Sequence, residues 1–309
     1  MNAMKTLVII PGKKYYFFNK IDCDEIILHE EVFMSIKNKL LSLTQRISKK
    51  TGSWRVYSWF ISSWKSDIES CEKCIIFDSA FSLALVKSIK YLSPKIKIYI
   101  YCWNPIFNNV RILREFKKVA DIAKIYSFDK DDCNKYGFEF APMVYDFSAS
   151  VESEDQILYD VTFVGALKGR KKILTEVFNV LQEKNLKSNF YVLSSKHEID
   201  LPFKTYMQYL DYEKYKDLIG KSKAVLDVVQ PGQRGLTIRT LEVLCYHKKL
   251  ISTNLDILNY DFYDPDNIFL IGYDDWKRLE EFLDTPFVNI TPEVLGKYNF
   301  VEWVTNFNA

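Results

Sequence analysis

Glycine and proline are scarce in this chain of 309 residues, at 10 and 9 respectively. That excludes collagen-like and low-complexity architectures. Histidine is rarer still: His29, His197 and His247 share no metal-ligand spacing, and each reads as structural. The six cysteines (Cys23, Cys71, Cys74, Cys102, Cys133 and Cys245) are scattered. Cys71 and Cys74 make a lone CxxC with no second pair and no nearby His, so neither a zinc site nor a disulfide framework is expected. Long hydrophobic runs are missing too, none approaching the ~20 residues of a membrane-spanning helix. The apolar stretch near the N-terminus, Leu7 to Ile10, is too short for a signal peptide, which predicts a cytoplasmic protein. Neither GxGxxG nor GxxxxGK[ST] occurs, which counts against dinucleotide oxidoreductases and P-loop kinases. No helix-turn-helix signal or Arg-rich aromatic patch points to nucleic acid.

What is present is ordinary for a globular protein: 48% apolar and 27% charged residues. The length allows two domains of ~150 residues, each able to bury a core. Net charge is +2, but it is unevenly spread. Residues 1–150 hold 23 Lys and Arg against 16 Asp and Glu, or +7, and the remainder holds 19 against 24, or −5. A basic first half favours anionic partners, either phosphate groups or an acidic lipid leaflet, beside the plainer reading of a solvated face.

Short β-branched and aromatic runs alternate with longer amphipathic stretches. Strands are predicted at 6–10, 25–29, 74–78, 97–103 and 123–128, with helices at 31–50, 79–92 and 107–120. The pattern recurs with strands at 160–165, 189–194, 223–229, 248–253 and 267–271, and helices at 170–185, 212–219, 235–247 and 273–284. Such alternation indicates βαβ units and parallel sheets. The polar stretch 147–156 reads as a linker between an acceptor-side domain (1–150) and a second domain (151–309). A final amphipathic helix, about 291–307, is expected to pack back on the first domain. The expected fold is therefore α/β, with two tandem Rossmann-like doubly wound domains facing a cleft.

Ligands of doubly wound sheets bind at the carboxyl ends of the strands. Four of the ten glycines fall at two such ends: Gly165 and Gly169 in VTFVGALKGR, Gly232 and Gly235 in VVQPGQRGLTIRTLE. The first turn carries Lys168 and Arg170 at a predicted helix start, suited to an anion such as phosphate. In the second, Gln233, Gly235, Leu236 and Thr237 lead into a helix whose free N–H groups can face a pyrophosphate, with Thr237 able to cap it. Arg239 adds charge there, and Glu242 is placed to accept from vicinal hydroxyls of a ribose. In the first half, Asp78 directly follows a strand and is the best candidate for a general base, its plainer role being a helix N-cap. Gly12, Lys13 and Lys14 follow the first strand and could face an acceptor or a phosphate. The DxD of Asp22 and Asp24 precedes a strand and reads as a turn. Trp103, at a strand end, could stack on a sugar.

The segments 160–170, 224–244, 248–254 and 259–271, and more weakly 77–94, 101–106 and 126–137, resemble GT-B glycosyltransferases of bacterial surface polysaccharide synthesis. The resemblance extends to enterobacterial lipopolysaccharide-core enzymes of the rhamnosyltransferase type, and together these segments cover most of the chain. It implies a nucleotide-sugar donor held by Gly165, Lys168, Arg170, Gln233, Gly235, Leu236, Thr237, Arg239 and Glu242. It also implies a lipid-linked saccharide acceptor in lipopolysaccharide core, O-antigen or capsule synthesis, a peripheral place at the anionic inner membrane face, and no metal or other cofactor. The paired Glu-x7-Glu of the large retaining group is missing, because Arg234 stands eight residues before Glu242. A sugar-nucleotide epimerase of the same fold and a catalytically silent nucleotide-sugar-binding scaffold stay open as alternatives.

Overall fold

The computed structural model describes residues 5–10, 23–34, 36–147, 156–195 and 200–308. The chain divides into two units, Met1–Asp146 with Asn299–Ala309, and Phe147–Tyr298. Gly12, Lys13 and Lys14, and residues 148–155 of the expected linker, lie outside the described residues.

The first unit is built on strands β1 (Lys5–Ile9), β2 (Ile26–His29), β3 (Cys71–Phe77), β4 (Lys97–Cys102), β5 (Lys124–Ser127) and β6 (Glu139–Phe140). Its helices are α1 (Lys39–Thr51), α2 (Trp54–Tyr57), α3 (Trp64–Asp67), α4 (Leu83–Leu92), α5 (Ile112–Phe116) and α6 (Lys130–Tyr136). The second unit contains β7 (Tyr159–Ala166), α7 (Lys171–Glu183), β8 (Ser188–Leu193), β9 (Thr205–Tyr206), α8 (Tyr212–Gly220) and β10 (Ser222–Asp227). It continues with α9 (Ile238–Cys245), β11 (Lys249–Ser252), β12 (Ile268–Leu270), α10 (Leu279–Asp284) and α11 (Pro292–Gly296). Each sheet has six strands, in the orders β2-β1-β3-β4-β5-β6 and β12-β11-β10-β7-β8-β9. All the pairings between these strands are parallel.

These orders fix where a ligand can sit. From β1 the chain first steps to β2, then crosses to β3 on the other side of β1. In the second unit it runs β7, β8, β9, then crosses to β10 on the other side of β7. Each sheet thus has a switch point, β1/β3 and β7/β10, where the outgoing loops diverge and leave a crevice. Helices cover the faces, so the central strands read as apolar runs: Cys74 to Phe77 in β3 and Ala224 to Leu226 in β10 are at most 1% exposed.

Caps explain where helices depart from the sequence expectation. Asn38 Oδ1 accepts from the N–H groups of Leu40 (2.8 Å) and Leu41 (3.3 Å), so α1 starts at Lys39 and not near 31. Ser82 Oγ accepts from Leu85 N–H (3.2 Å), so α4 starts at Leu83 and not at 79. The helix expected over 107–120 is a 3-10 turn, Ile106–Asn108, followed by the short α5. The terminal stretch is not one helix either. It breaks between α11 and α12 (Phe300–Trp303), where Asn299 bridges to Tyr145. Beyond the break, Trp303 packs edge-on against Tyr101 (centroids 4.8 Å) and its Nε1 donates to Pro142 O (2.9 Å). Lys73 Nζ donates to Val304 O (3.0 Å). Strands β6 and β9 have no counterpart among the expected elements, since two residues carry no readable alternation.

Candidate functional site

The carboxyl ends of β7 and β10 gather most of the residues singled out in the second half. The centre is a side chain that sequence reasoning passed over, Asp227, buried at the end of β10. It accepts from Thr237 Oγ1 (2.5 Å), Thr240 Oγ1 (3.4 Å) and Arg239 Nη1 (3.3 Å). A signal for it existed: it is the one charge in the run AVLDVV. Thr237 is the N-cap of α9, with Oγ1 accepting from Thr240 N–H (3.4 Å). The helix begins at Ile238, three residues later than expected. Leu236 is fully buried and Gly235 is buried. Gln233 Nε2 donates to Gly235 O (3.3 Å), and Asn254, just beyond β11, donates to Arg234 O (3.1 Å) and Gly235 O (3.4 Å). Asn254 was also missed. It clamps the turn from the neighbouring strand.

Arg239 and Arg170 come together here. Arg239 also donates to Val164 O and lies over the Phe163 ring (5.8 Å to the centroid). Arg170, just before α7, donates through Nη1 to Ala166 O (3.0 Å). Burial, and next the positive charge of Arg239, lower the pKa of Arg170, while Asp227 opposes them. The Nε of both guanidiniums is buried and has no hydrogen-bond partner. Asp227 lies near both guanidiniums, and Glu242 and Tyr215 also act on Arg239, yet the two buried Nε–H groups keep unused donor capacity at this strand end.

Gly165 lies within β7, where a Cβ would come 3.0 Å from the Phe163 ring. Beyond it the chain makes a tight turn, Arg170 N–H donating to Leu167 O (2.7 Å), with Lys168 at φ 32° and Gly169 at φ 77°. Lysine in the left-handed region is unfavourable by about 1 kcal/mol, and such strain collects where function uses it. This turn, Ser194, Ser195, Met207 and the 89% exposed Tyr209 line a pocket of about 540 Å³.

Glu242 departs from expectation. It is only 4% exposed, on the face of α9 that also buries Leu241, Val243 and Leu244. Its two oxygens accept from Tyr212 OH (2.9 Å) and Tyr215 OH (2.5 Å), both on α8. Burial raises its pKa, against the pull of the two tyrosines. The open carboxylate read from the sequence is instead the middle of a tyrosine cage, completed by Tyr212 and Tyr246 hydroxyls 3.1 Å apart.

In the first unit Asp78 follows β3 at the other switch point. It does not cap α4; Ser82 does. Its Oδ1 is buried without a hydrogen-bond partner. Burial pushes the carboxyl up to about 6, against backbone N–H groups of Ser79, Asn104 and Trp103. Asp78 and Ser79 lie on the wall of a groove of about 760 Å³. Trp103 packs on Phe77 (5.3 Å), and His29 pairs with Asp67 (2.8 Å).

No protein-family profile matches the chain, and no curated protein matches it. Solved structures are similar at low identity. TarM is 10% identical with a TM-score of 0.49, over 83% of this chain and 58% of that one. The GtfA/B complex is 8% identical at 0.45, over 82% and 58%. The Glycosylation Associate Protein (Gap123) complex from Streptococcus agalactiae is 11% identical at 0.40, over 76% and 50%. The chain spans between half and three-fifths of the length of these structures. The two doubly wound domains are established by the sheets themselves.

Proposed function

We propose that this chain is a glycosyltransferase of the GT-B kind, moving a sugar from a nucleotide-sugar to a saccharide hydroxyl. The observation that carries the reading is the pair of buried, unpartnered Nε–H groups of Arg170 and Arg239 at the β7/β10 switch point. Diphosphate chemistry fits them: charge-assisted hydrogen bonds to phosphate oxygens are roughly twice as strong as neutral ones. Lys168 and Gly169 take the phosphates from the neighbouring turn, and the start of α9 beyond Gly235, Leu236 and Thr237 adds its dipole. The pocket of Met207 and Tyr209 suits the flat face of a base. Gln233, with Asn254, keeps the turn in shape. Glu242 holds Tyr212 and Tyr215, so a ribose contact to its carboxylate requires Tyr212 to give way.

Asp78 serves as the base. As the new C–O bond forms at the anomeric carbon, the acceptor O–H proton passes to its carboxylate. The bond to the diphosphate oxygen breaks with its electron pair on the leaving group. The arginines and Lys168 stabilise that growing charge without a metal.

The acceptor we favour is a lipid-linked saccharide of lipopolysaccharide core, O-antigen or capsule synthesis, met at an anionic membrane face. Among the described residues no helix is long and apolar enough to cross a membrane. On α1, however, Leu40 (72% exposed), Leu43 and Ile47 form an exposed stripe at helical spacing beside Lys39, Arg46 and Lys50. Between Glu31 and Asp67 the sequence holds seven Lys and Arg and no acid. Apolar stripes flanked by cations suit a negatively charged bilayer surface.

Calorimetry of the purified chain with UDP, dTDP, GDP, CMP and ADP tests the donor half, with one nucleoside diphosphate expected to bind at 1:1. Slow release of labelled sugar from the matching donor would then mark an enzyme over a scaffold. Absence of binding by every nucleotide would end the proposal.

A further inference from the structure

The groove beside Asp78 is more basic than a sugar-binding surface needs. Its wall carries Arg46, Lys49 and Lys50 from the last turns of α1, Arg111 from the start of α5, and Lys118. Lys118 is neutralised by Glu115 at 2.8 Å. Among the described residues none of the other four makes an ion pair. Their placement is built by the fold. Gly52 ends α1 at φ 71°, and a Cβ there would come 3.3 Å from Leu83 Cδ2, so the glycine lets the end of α1 close on the first turn of α4. Ser53 N–H donates to Ser48 O (3.0 Å) and Ser88 Oγ to Trp54 O (3.0 Å), fixing that approach. Three α1 cations are thereby held on the same groove wall as Asp78.

We propose that this groove binds a phosphate or phosphodiester group carried by the acceptor, gripped by Arg46, Lys49, Lys50 and Arg111 so that a neighbouring hydroxyl reaches Asp78. The acceptor is then an anionic saccharide or a phosphate-linked lipid saccharide and not a neutral glycan. This rests on the reading of the chain as a transferase, deepens its acceptor side, and is separable from the donor side. Electrostatic capture by four cations also predicts acceptor binding that weakens steeply with salt.

The test is calorimetry of the full chain with inorganic pyrophosphate at low salt, on wild type, the R46Q/K49Q/K50Q variant, R111Q and R170Q. Thermal melts check that each is folded, and R111Q, a single change on another element, guards against misfolding of the triple variant. Wild type should show two classes of site. The triple variant and R111Q should weaken one of them tenfold or more, and R170Q the other. Loss only in R170Q overturns the groove while leaving the donor reading intact. Loss only in the groove variants upholds the groove and ends the donor reading. Phosphatidylglycerol vesicles resolve the source of the phosphate. Displacement of bound protein by pyrophosphate assigns the groove to a lipid-linked phosphate, and vesicle-bound protein that still takes pyrophosphate assigns it to a phosphate on the saccharide. Binding to vesicles with no pyrophosphate binding at all overturns the inference and gives the four cations to the bilayer.

Discussion

Asp78 and Asp227 occupy equivalent places in the two units, each at the carboxyl end of the strand that follows the crossover. Their surroundings are opposite. Asp227 is saturated, taking two threonine hydroxyls and a guanidinium. Asp78 keeps an oxygen with no partner and a carboxyl pushed up to about 6. Equivalent positions thus carry different environments: Asp227 anchors a turn, whereas Asp78 has donors from Ser79, Trp103 and Asn104 but keeps one oxygen unpartnered and its proton held toward neutral pH.

Breaking the pair should show this division. Asp78→Asn should lower turnover by about 10²–10⁴-fold, the usual weight of a general base, with donor binding by calorimetry unchanged. Asp227→Ala should instead destabilise the fold by about 3–5 kcal/mol in urea melts, because Arg239 is left buried without its partner. Equal loss of stability in both variants would erase the contrast.

pH sharpens it further. The folded carboxyl of Asp78 titrates near 6 against an ordinary 3.8, so the native state holds this proton more tightly than the unfolded chain does. Its cost is absent below pH ~4 and grows as pH rises through 6, to at most about 3 kcal/mol at pH 8. Asp78→Asn should thus raise the melting temperature at pH 8 and leave it unchanged at pH 4. Activity of the wild type should climb with pH through about 6 and level off above. The smallest effect is at Lys168. Lys168→Gly should relieve its left-handed backbone, stabilising the chain by about 1 kcal/mol, while weakening nucleotide binding through the lost charge.

Much of the fold was legible because parallel sheets write their central strands as unbroken apolar runs, and glycine, being rare here, marks the turns after them. Thr237 as cap and Asp78 after its strand follow from local chemistry of that kind. Asp227, Asn254 and the tyrosine cage of Glu242 were not legible in this way, since their partners lie on other elements and only tertiary packing joins them. The same holds for the groove. Arg46, Lys49 and Lys50 fall in the acid-free run between Glu31 and Asp67, but nothing local says that Gly52 folds them against α4 or that Arg111 joins them.

A diphosphate gripped at the β7/β10 switch point by Arg170 and Arg239 should be distinguished there from a monophosphate. Titrating wild type and R170Q with the di- and monophosphate of the preferred nucleoside tests it most directly. Wild type should prefer the diphosphate at least tenfold, and R170Q should lose that preference. Equal affinity for the two nucleotides in wild type, or a preference that survives the substitution, would contradict it.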